Sequence, residues 1–385
     1  MTAMRVLWAV LWGCLLLADE LPPGQIINEV TAASDAAQRY SLYLPSTYTA
    51  DKKWPVVLAF DPGGRGRRAV EQYQAAAEKF GYIIAASNVS RNGSWAVSMG
   101  AAQAMGEDVT ARFTINRQRV YTAGMSGGAR VALGVALGAE GVVAGVIASS
   151  AGYPDSKPRQ SVPFPSVGTA GTDDFNWLEM KQLDHALTTP HRVAIFEGGH
   201  VWLSSALALE ALEWMDLQAM KSGRLPRDAA RLEVMFAARQ VKAMALAHEG
   251  QSCLALESLA ADFDGLHDVT ELNARTSELR RSKAVQEAWN KDQAEEQKEQ
   301  VRINEILRLE QGLNAAGARV DALARLTDEW KSLAKESAAA KDSAERRIAR
   351  RISRGLAMGS AGRTKDAEYL KVLATYRPAR TGPPQ

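Results

Sequence analysis

Short apolar runs alternate with segments of helical periodicity through about the first 220 residues of the 385-residue chain. Runs such as Pro-Val-Val-Leu-Ala-Phe at 55–60 are uninterrupted, which is typical of strands buried on both faces. The predicted strands are 25–30, 40–44, 55–60, 82–87, 119–121, 142–148, 166–170 and 193–196, and the predicted helices are 69–80, 99–113, 129–139 and 204–220. This alternation predicts an α/β fold, in which a mostly parallel sheet has helices on both faces.

The pattern changes at about residue 226, and no further strand is predicted. Apolar residues then recur three or four positions apart, as in amphipathic helices with one core-facing stripe. The clearest stripe consists of Leu323, Leu326, Trp330 and Leu333. We therefore predict an all-α domain, either a plain bundle or hairpins weakly similar to tetratricopeptide repeats. Its charged stretch at 291–300 indicates a solvated helix face or a flexible break.

A hinge is predicted at 222–226, where Ser-Gly-Arg-Leu-Pro combines a flexible glycine with a proline suited to start a helix. The predicted units are a signal peptide at 1–18, a catalytic domain at 25–222, a helical domain at 226–376 and a disordered tail at 377–385. On this division residues 19–222 fold alone and carry the chemistry. The helical domain would then serve partner binding or substrate access.

The first residues have the pattern of an export signal. Arg5 precedes an apolar run of 13 residues at 6–18, which is short for a membrane span but suits a signal peptide. The expected location is periplasmic or extracellular, with no membrane span after the signal is removed. An uncleaved anchor and a lipoprotein attached at Cys14 are the alternatives.

Composition argues against several classes of function. The net charge is only +2, so bulk electrostatics favour no nucleic-acid partner. The 2 cysteines cannot form a disulfide framework, and they lack the spacing of zinc ligands. We predict neither a metal nor an organic cofactor.

Candidate chemistry begins at Gly124-Met125-Ser126-Gly127-Gly128, between a predicted strand and a predicted helix of small residues. A serine inside Gly-x-Ser-x-Gly at such a turn is typical of a nucleophile elbow. The glycines leave room for the sharp turn, which lifts the hydroxyl above the sheet to the positive end of the helix dipole. Ser126 is therefore the predicted nucleophile. The alternative is a glycine-rich turn with an incidental serine.

A serine nucleophile needs a base, and the base needs a carboxylate that orients it. In elbow-type enzymes the acid and then the histidine follow the serine along the chain. Among the 5 histidines, His200 directly follows a predicted strand and precedes a helix, at the sheet edge where active sites lie. The preceding strand leads into Asp173 and Asp174. Asp174 is the predicted acid and Asp173 the reserve.

The tetrahedral intermediate of acyl transfer needs two N–H donors for its oxyanion. Gly127, directly after the serine, is one predicted donor. The other is expected after the strand 55–60, where Pro62 has no N–H and Gly63 or Gly64 must supply it. The alternative for this glycine loop is an ordinary tight turn.

Residues 39–216 resemble the α/β-hydrolase family, nearest to its polyhydroxybutyrate depolymerase and feruloyl esterase branch. The motifs that carry the resemblance are Tyr40-Ser41-Leu42-Tyr43-Leu44-Pro45, the elbow at 124–128, Gly171-Thr172-Asp173-Asp174 and Gly199-His200. The family usually has His-Gly before its oxyanion glycines, where this chain has Asp61-Pro62. The resemblance also implies that the loop 88–95, ending in Trp95, lies on the substrate side.

The resulting hypothesis is a serine hydrolase that cleaves small or polymeric carboxylic esters through an acyl-enzyme on Ser126. Trp95, Met125 and Trp202 are the predicted substrate contacts, although Trp95 could equally pack its loop. A protein partner is expected, if at all, on the helical domain. The alternatives are a peptidase or acyltransferase with the same triad, or an inactive hydrolase fold that serves as a binding module.

Overall fold

The computed structural model describes residues 21–155, 159–315 and 317–376. The predicted signal peptide at 1–18 and the predicted tail at 377–385 lie outside these residues. Within the described ranges, no helix is both long and apolar enough to cross a membrane.

One sheet of eight strands organises the first part of the chain. The strands are β1 (Ile26–Ala32), β2 (Asp35–Tyr43), β3 (Trp54–Phe60), β4 (Ile83–Ser87), β5 (Ile115–Met125), β6 (Val143–Ser149), β7 (Ser166–Gly171) and β8 (His191–Phe196). Their spatial order is β1-β2-β4-β3-β5-β6-β7-β8. β2 is antiparallel to both neighbours, and every other pair is parallel. The predicted α/β class with a mostly parallel sheet is confirmed.

Helices cover both faces of the sheet. Those of the sheet part are α1 (Gly66–Phe80), α2 (Trp95–Arg112), α3 (Gly127–Gly138), α4 (Trp177–Ala186) and α5 (Ser205–Lys221). α1 and α5 pack in one core, and α2 and α3 pack in another. Along β3, Val57 and Ala59 join the first core, whereas Val56 and Leu58 join the second. Burial on both faces explains why this strand is apolar throughout.

The predicted strands all occur, with boundaries that shift by a few residues. α4 is not predicted, because it is only 10 residues long and its apolar residues are concentrated in its first turn. α2 begins at Trp95, earlier than predicted, because Ser94 caps it. The Ser94 hydroxyl accepts a hydrogen bond from the Val97 N–H at 3.4 Å.

The rest of the described chain is helical, as predicted. Its helices are α6 (Ala229–Met244), α7 (Glu249–Phe263), α8 (Thr270–Leu279), α9 (Lys283–Gly312), α10 (Arg319–Ser337), α11 (Ala344–Arg363) and α12 (Ala367–Tyr376). Residues of α6, α7 and α8 extend the core formed by α1 and α5, whereas α9 to α12 enclose a core of their own. The similarity to tetratricopeptide repeats stays a prediction.

The charged stretch at 291–300 lies inside one unbroken helix, α9. Its predicted solvation is wrong for the face that meets α11. Glu299 is only 1% exposed, and Glu295 is largely covered. Arginines of α11 neutralise both carboxylates, and a charge pattern within one helix does not reveal such partners.

Candidate active site

The elbow is formed by the end of β5, Ser126 and the start of α3. Ser126 has φ 54° and ψ −122°, a strained left-handed conformation for a residue with a side chain. A Cβ on Gly124 would overlap the carbonyl of Gly128, and a Cβ on Gly128 would overlap the carbonyl of Phe60. Only glycine therefore fits at these positions, and the turn presents Ser126 at the N-terminus of α3.

The structure brings Ser126, His200 and Asp174 into one hydrogen-bonded row. His200 Nε2 lies 2.8 Å from Ser126 Oγ, and His200 Nδ1 lies 2.8 Å from Asp174 Oδ1. Asp174 follows β7 and His200 follows β8, so adjacent strands deliver the two side chains to the same edge of the sheet. Asp174 is fully buried. This is the geometry that a nucleophile, a base and an orienting acid require.

Asp173, the reserve acid, points elsewhere. Its Oδ2 accepts a hydrogen bond from Arg350 Nη1 at 2.8 Å. The Asp174 carboxylate also accepts from the backbone N–H of Asn176 at 2.9 Å. The neighbouring aspartates thus have separate partners, and only Asp174 contacts the imidazole.

The loops that carry the acid and the base are bound to each other. The Thr172 N–H donates to the Phe196 carbonyl at 2.9 Å, and the Asp173 N–H donates to the Gly198 carbonyl at 2.8 Å. The Phe175 ring stacks on the imidazole of His200, with centroids 3.9 Å apart and an interplanar angle of 27°. Two backbone hydrogen bonds and one ring contact therefore connect the acid loop to the base loop.

The predicted oxyanion glycines after β3 are engaged by Asp61. The Gly63 N–H donates to Asp61 Oδ1 at 2.8 Å, and the Gly64 N–H donates to the Asp61 carbonyl at 3.1 Å. In this arrangement neither N–H points freely at an oxyanion. Asp61 thereby closes this turn on itself. The N–H of Gly127 lies in the first turn of α3, where helices leave donors without an internal acceptor.

Asn92 lies directly over the elbow, and sequence reasoning did not single it out. A Cβ on Gly127 would overlap Asn92 Oδ1. The Asn92 N–H donates to the Pro62 carbonyl at 2.8 Å, so the loop after β4 is fixed to the loop after β3. Asn92 is exposed, and among the described residues its side-chain amide has no hydrogen-bond partner. The only available signal was its place in the loop 88–95.

Two of the predicted substrate contacts are buried, which corrects that prediction. Met125 is 4% exposed and belongs to the core formed by α1 and α5. Trp202 is 5% exposed, and its indole N–H donates to Asp61 Oδ2 at 2.8 Å. Both side chains are committed to packing, and Trp202 connects the base loop to the loop after β3.

Trp95 is the predicted substrate contact that remains accessible, at 46% exposure. Its ring lies against α3, where a Cβ on Gly134 would come within 2.6 Å of it. Trp95 thus packs the start of α2 onto α3 and still offers surface to solvent.

In the described part of the chain, no cluster of three or more His, Cys, Asp or Glu side chains is arranged to hold a metal ion.

No protein-family model and no curated protein sequence matches the chain. Similar solved structures include a ferulic acid esterase, 16% identical, covering 48% of this chain and 94% of that one, with TM-score 0.39. A fluorophosphonate-binding serine hydrolase of Staphylococcus aureus is 15% identical, with coverages of 50% and 98% and TM-score 0.40. An esterase of Thermogutta terrifontis is 14% identical, with coverages of 54% and 98% and TM-score 0.39.

Each of these likenesses covers about half of the chain. The chain itself has the sheet order, the elbow and the Ser-His-Asp row described above. On its own sheet order and serine elbow the chain has the α/β-hydrolase fold, and the three similar structures named above are two esterases and a serine hydrolase.

Proposed function

We propose that the protein is a serine hydrolase that cleaves carboxylic esters through an acyl-enzyme on Ser126. The observation that carries the proposal is the row Ser126–His200–Asp174, with both hydrogen bonds at 2.8 Å, at a strained elbow. A surface serine with an incidental neighbour would need neither the strained turn nor a buried carboxylate behind the histidine.

The geometry supports a two-step reaction. His200 Nε2 removes the proton of Ser126 as Oγ attacks the ester carbonyl carbon, and Asp174 stabilises the imidazolium through Nδ1. Collapse of the tetrahedral intermediate breaks the ester C–O bond, and His200 returns the proton to the leaving alkoxide. Water, activated by the same base, then attacks the acyl-enzyme and releases the acid.

Asp174→Asn should lower kcat by roughly 10⁴-fold, because an asparagine amide favours the wrong imidazole tautomer and cannot stabilise the imidazolium. Steady-state hydrolysis of a p-nitrophenyl ester measures the loss. Asp173→Asn is the matched comparison and should lose far less, since its carboxylate binds Arg350 and does not contact the imidazole. Equal losses in the two variants would reject the assignment of the acid.

The second oxyanion donor is proposed to be the side-chain amide of Asn92, beside the N–H of Gly127. The Gly63 and Gly64 N–H groups are engaged by Asp61, whereas Asn92 lies against Gly127 at the elbow and its side-chain amide has no partner among the described residues. Such an amide can turn its NH₂ toward a developing negative charge.

Asn92→Ala should lower kcat by about 10²–10³-fold with little change in KM, because an oxyanion donor acts mainly in the transition state. Asn92→Asp should be worse, since a carboxylate would repel the oxyanion. Kinetics on the same ester test both, with circular dichroism to check the fold. An alanine variant with wild-type kcat would return the role to the loop after β3.

A fluorophosphonate probe tests the proposed function itself. We expect stoichiometric labelling at Ser126 and turnover of short p-nitrophenyl esters. Peptide cleavage without ester turnover would favour a peptidase. Transfer of the acyl group to an added alcohol in preference to water would favour an acyltransferase. A folded protein that is neither labelled nor active would be a binding module.

Export of this hydrolase is part of the proposal and rests on the sequence of residues 1–18. Cell fractionation with an antibody to the chain tests it. Protein recovered with the cytoplasm at full length would contradict it.

A further inference from the structure

Helix α11, which precedes the last described helix, contacts the loop that carries the triad acid. Arg351 is 1% exposed, and its Nη1 donates to the Thr172 carbonyl at 2.7 Å. Its guanidinium also lies over the Trp177 ring, 4.1 Å from the ring centre. Thr172 and Trp177 flank Asp174 on its two sides, so one buried cation fixes both ends of the acid loop.

Two carboxylates of α9 hold Arg351 in place. Arg351 Nε donates to Glu299 Oε2 at 2.8 Å, and Nη2 donates to Glu295 Oε1 at 2.9 Å. Burial raises the pKa of Glu299 against the attraction of Arg351. Burial also opposes ionisation of Glu295, but hydrogen bonds from Arg347 and Arg351 outweigh it and lower its pKa.

A buried ion cluster is a weak way to stabilise the packing of two helices, because the free energy lost on desolvating the charges can exceed the free energy gained from their attraction. Apolar side chains of the same volume would join α9 to α11 as well. They could not, however, donate a hydrogen bond to the Thr172 carbonyl. The directional contact is therefore the feature that apolar packing would not supply.

A second contact of α11 is connected to the base through Phe175. Gly355 lies so close to Phe175 that a Cβ would stand 2.6 Å from the Phe175 Cβ. The other side of Phe175 is occupied, because its ring stacks on the His200 imidazole. Phe175 is thus held between α11 and the base, and glycine at 355 sets the spacing.

We propose that Arg351 and Gly355 are positioning residues for the triad, and that α11 is thereby part of the catalytic apparatus. The proposal rests on the proposed function. Arg351 fixes the loop that presents Asp174, and Gly355 lets Phe175 lie flat on His200. The ion pair between Arg350 and Asp173 supports the same loop from the next position of the helix.

Gly355→Ala is the sharpest test, with Gly362→Ala as its matched control. Both glycines lie in α11, but a Cβ on Gly362 would meet nothing within 4 Å. Alanine favours a helix over glycine, so neither change should unfold α11 by itself. Gly355→Ala should lower kcat by about 10–100-fold at nearly constant KM, because an ångström-scale displacement can cost that much. Gly362→Ala should match wild type.

A second substitution that removes the steric overlap distinguishes a positioning effect of Gly355→Ala from a general loss of packing. Phe175→Gly removes the Cβ and Cγ that a Cβ at position 355 would meet at 2.6 and 3.1 Å, so the double variant should lose less than the product of the two single losses. Arg351→Met should also lower kcat and alter the acidic limb of the pH–rate profile. Arg302→Met is its control, because Arg302 binds glutamates of α10 and contacts no residue of the acid loop.

The last measurement is spectroscopic and does not depend on catalytic turnover. A downfield proton resonance from His200 Nδ1–H, assigned by its loss in Asp174→Asn, reports the bond between the base and the acid. It should shift or broaden in Gly355→Ala and stay unchanged in Gly362→Ala. An unchanged resonance with wild-type kcat in Gly355→Ala would overturn the positioning role. Absence of labelling and turnover in the wild type would overturn the proposed function, while the resonance still tests the positioning role.

Discussion

Replacing Ser126 by alanine should abolish ester hydrolysis while leaving the protein folded. The hydroxyl is the attacking group, so its loss removes the covalent step, and comparable triads lose on the order of 10⁶-fold in turnover. The fold around the elbow should survive the change, because the Ser126 N–H donates to the Ser149 carbonyl at 2.8 Å and alanine keeps this backbone N–H. Hydrolysis of p-nitrophenyl acetate and fluorophosphonate labelling measure the effect, with thermal unfolding followed in parallel.

Ser161→Ala serves as the control, because Ser161 is an exposed serine outside the site. It should retain wild-type turnover and labelling. Retention of most of the activity in purified Ser126→Ala would place the nucleophile elsewhere and reject the proposed mechanism.

Local pattern was enough to predict the sheet. Strands such as β3 are uniformly apolar because helices cover both faces, and turns rich in glycine or polar residues bound them. The same reasoning led to the choice of Ser126 and His200, since each follows a strand and precedes a helix. α4 was not predicted, because a helix of 10 residues whose buried apolar residues lie near its start has little periodicity to detect.

Contacts between distant residues could not be predicted. The choice between Asp173 and Asp174 depends on Arg350, which lies 177 positions away from Asp173. The predicted donors Gly63 and Gly64 were chosen by position, but the Asp61 side chain and carbonyl engage their N–H groups. Hydrophobic patterning carries no information about which buried cation meets which carbonyl.

These contacts between distant residues also affect whether the chain divides into two independent domains. The sequence predicts that residues 19–222 fold alone and keep small-ester activity, with the helices reserved for partners or access. The contacts give reasons to expect otherwise. The Trp214 indole donates to Asp262 Oδ1 at 2.8 Å, and Leu232 and Phe236 lie in the same core as Trp214. Separately, α11 holds the acid loop.

A chain ended at Ser222 should therefore be insoluble or, if soluble, inactive. Removing α6 to α8 uncovers the apolar core around Trp214, and an exposed patch of that kind promotes aggregation. A chain ended at Arg281 separates the two causes, since it keeps α6 to α8 but lacks α9 to α12. We expect this longer chain to be soluble and labelled slowly by fluorophosphonate, because the acid loop has lost Arg350 and Arg351. Soluble yield, circular dichroism and labelling rate, each set against the full chain, measure the outcome. A soluble 19–222 chain labelled at the full rate would restore the division predicted from the sequence and remove α11 from the catalytic apparatus.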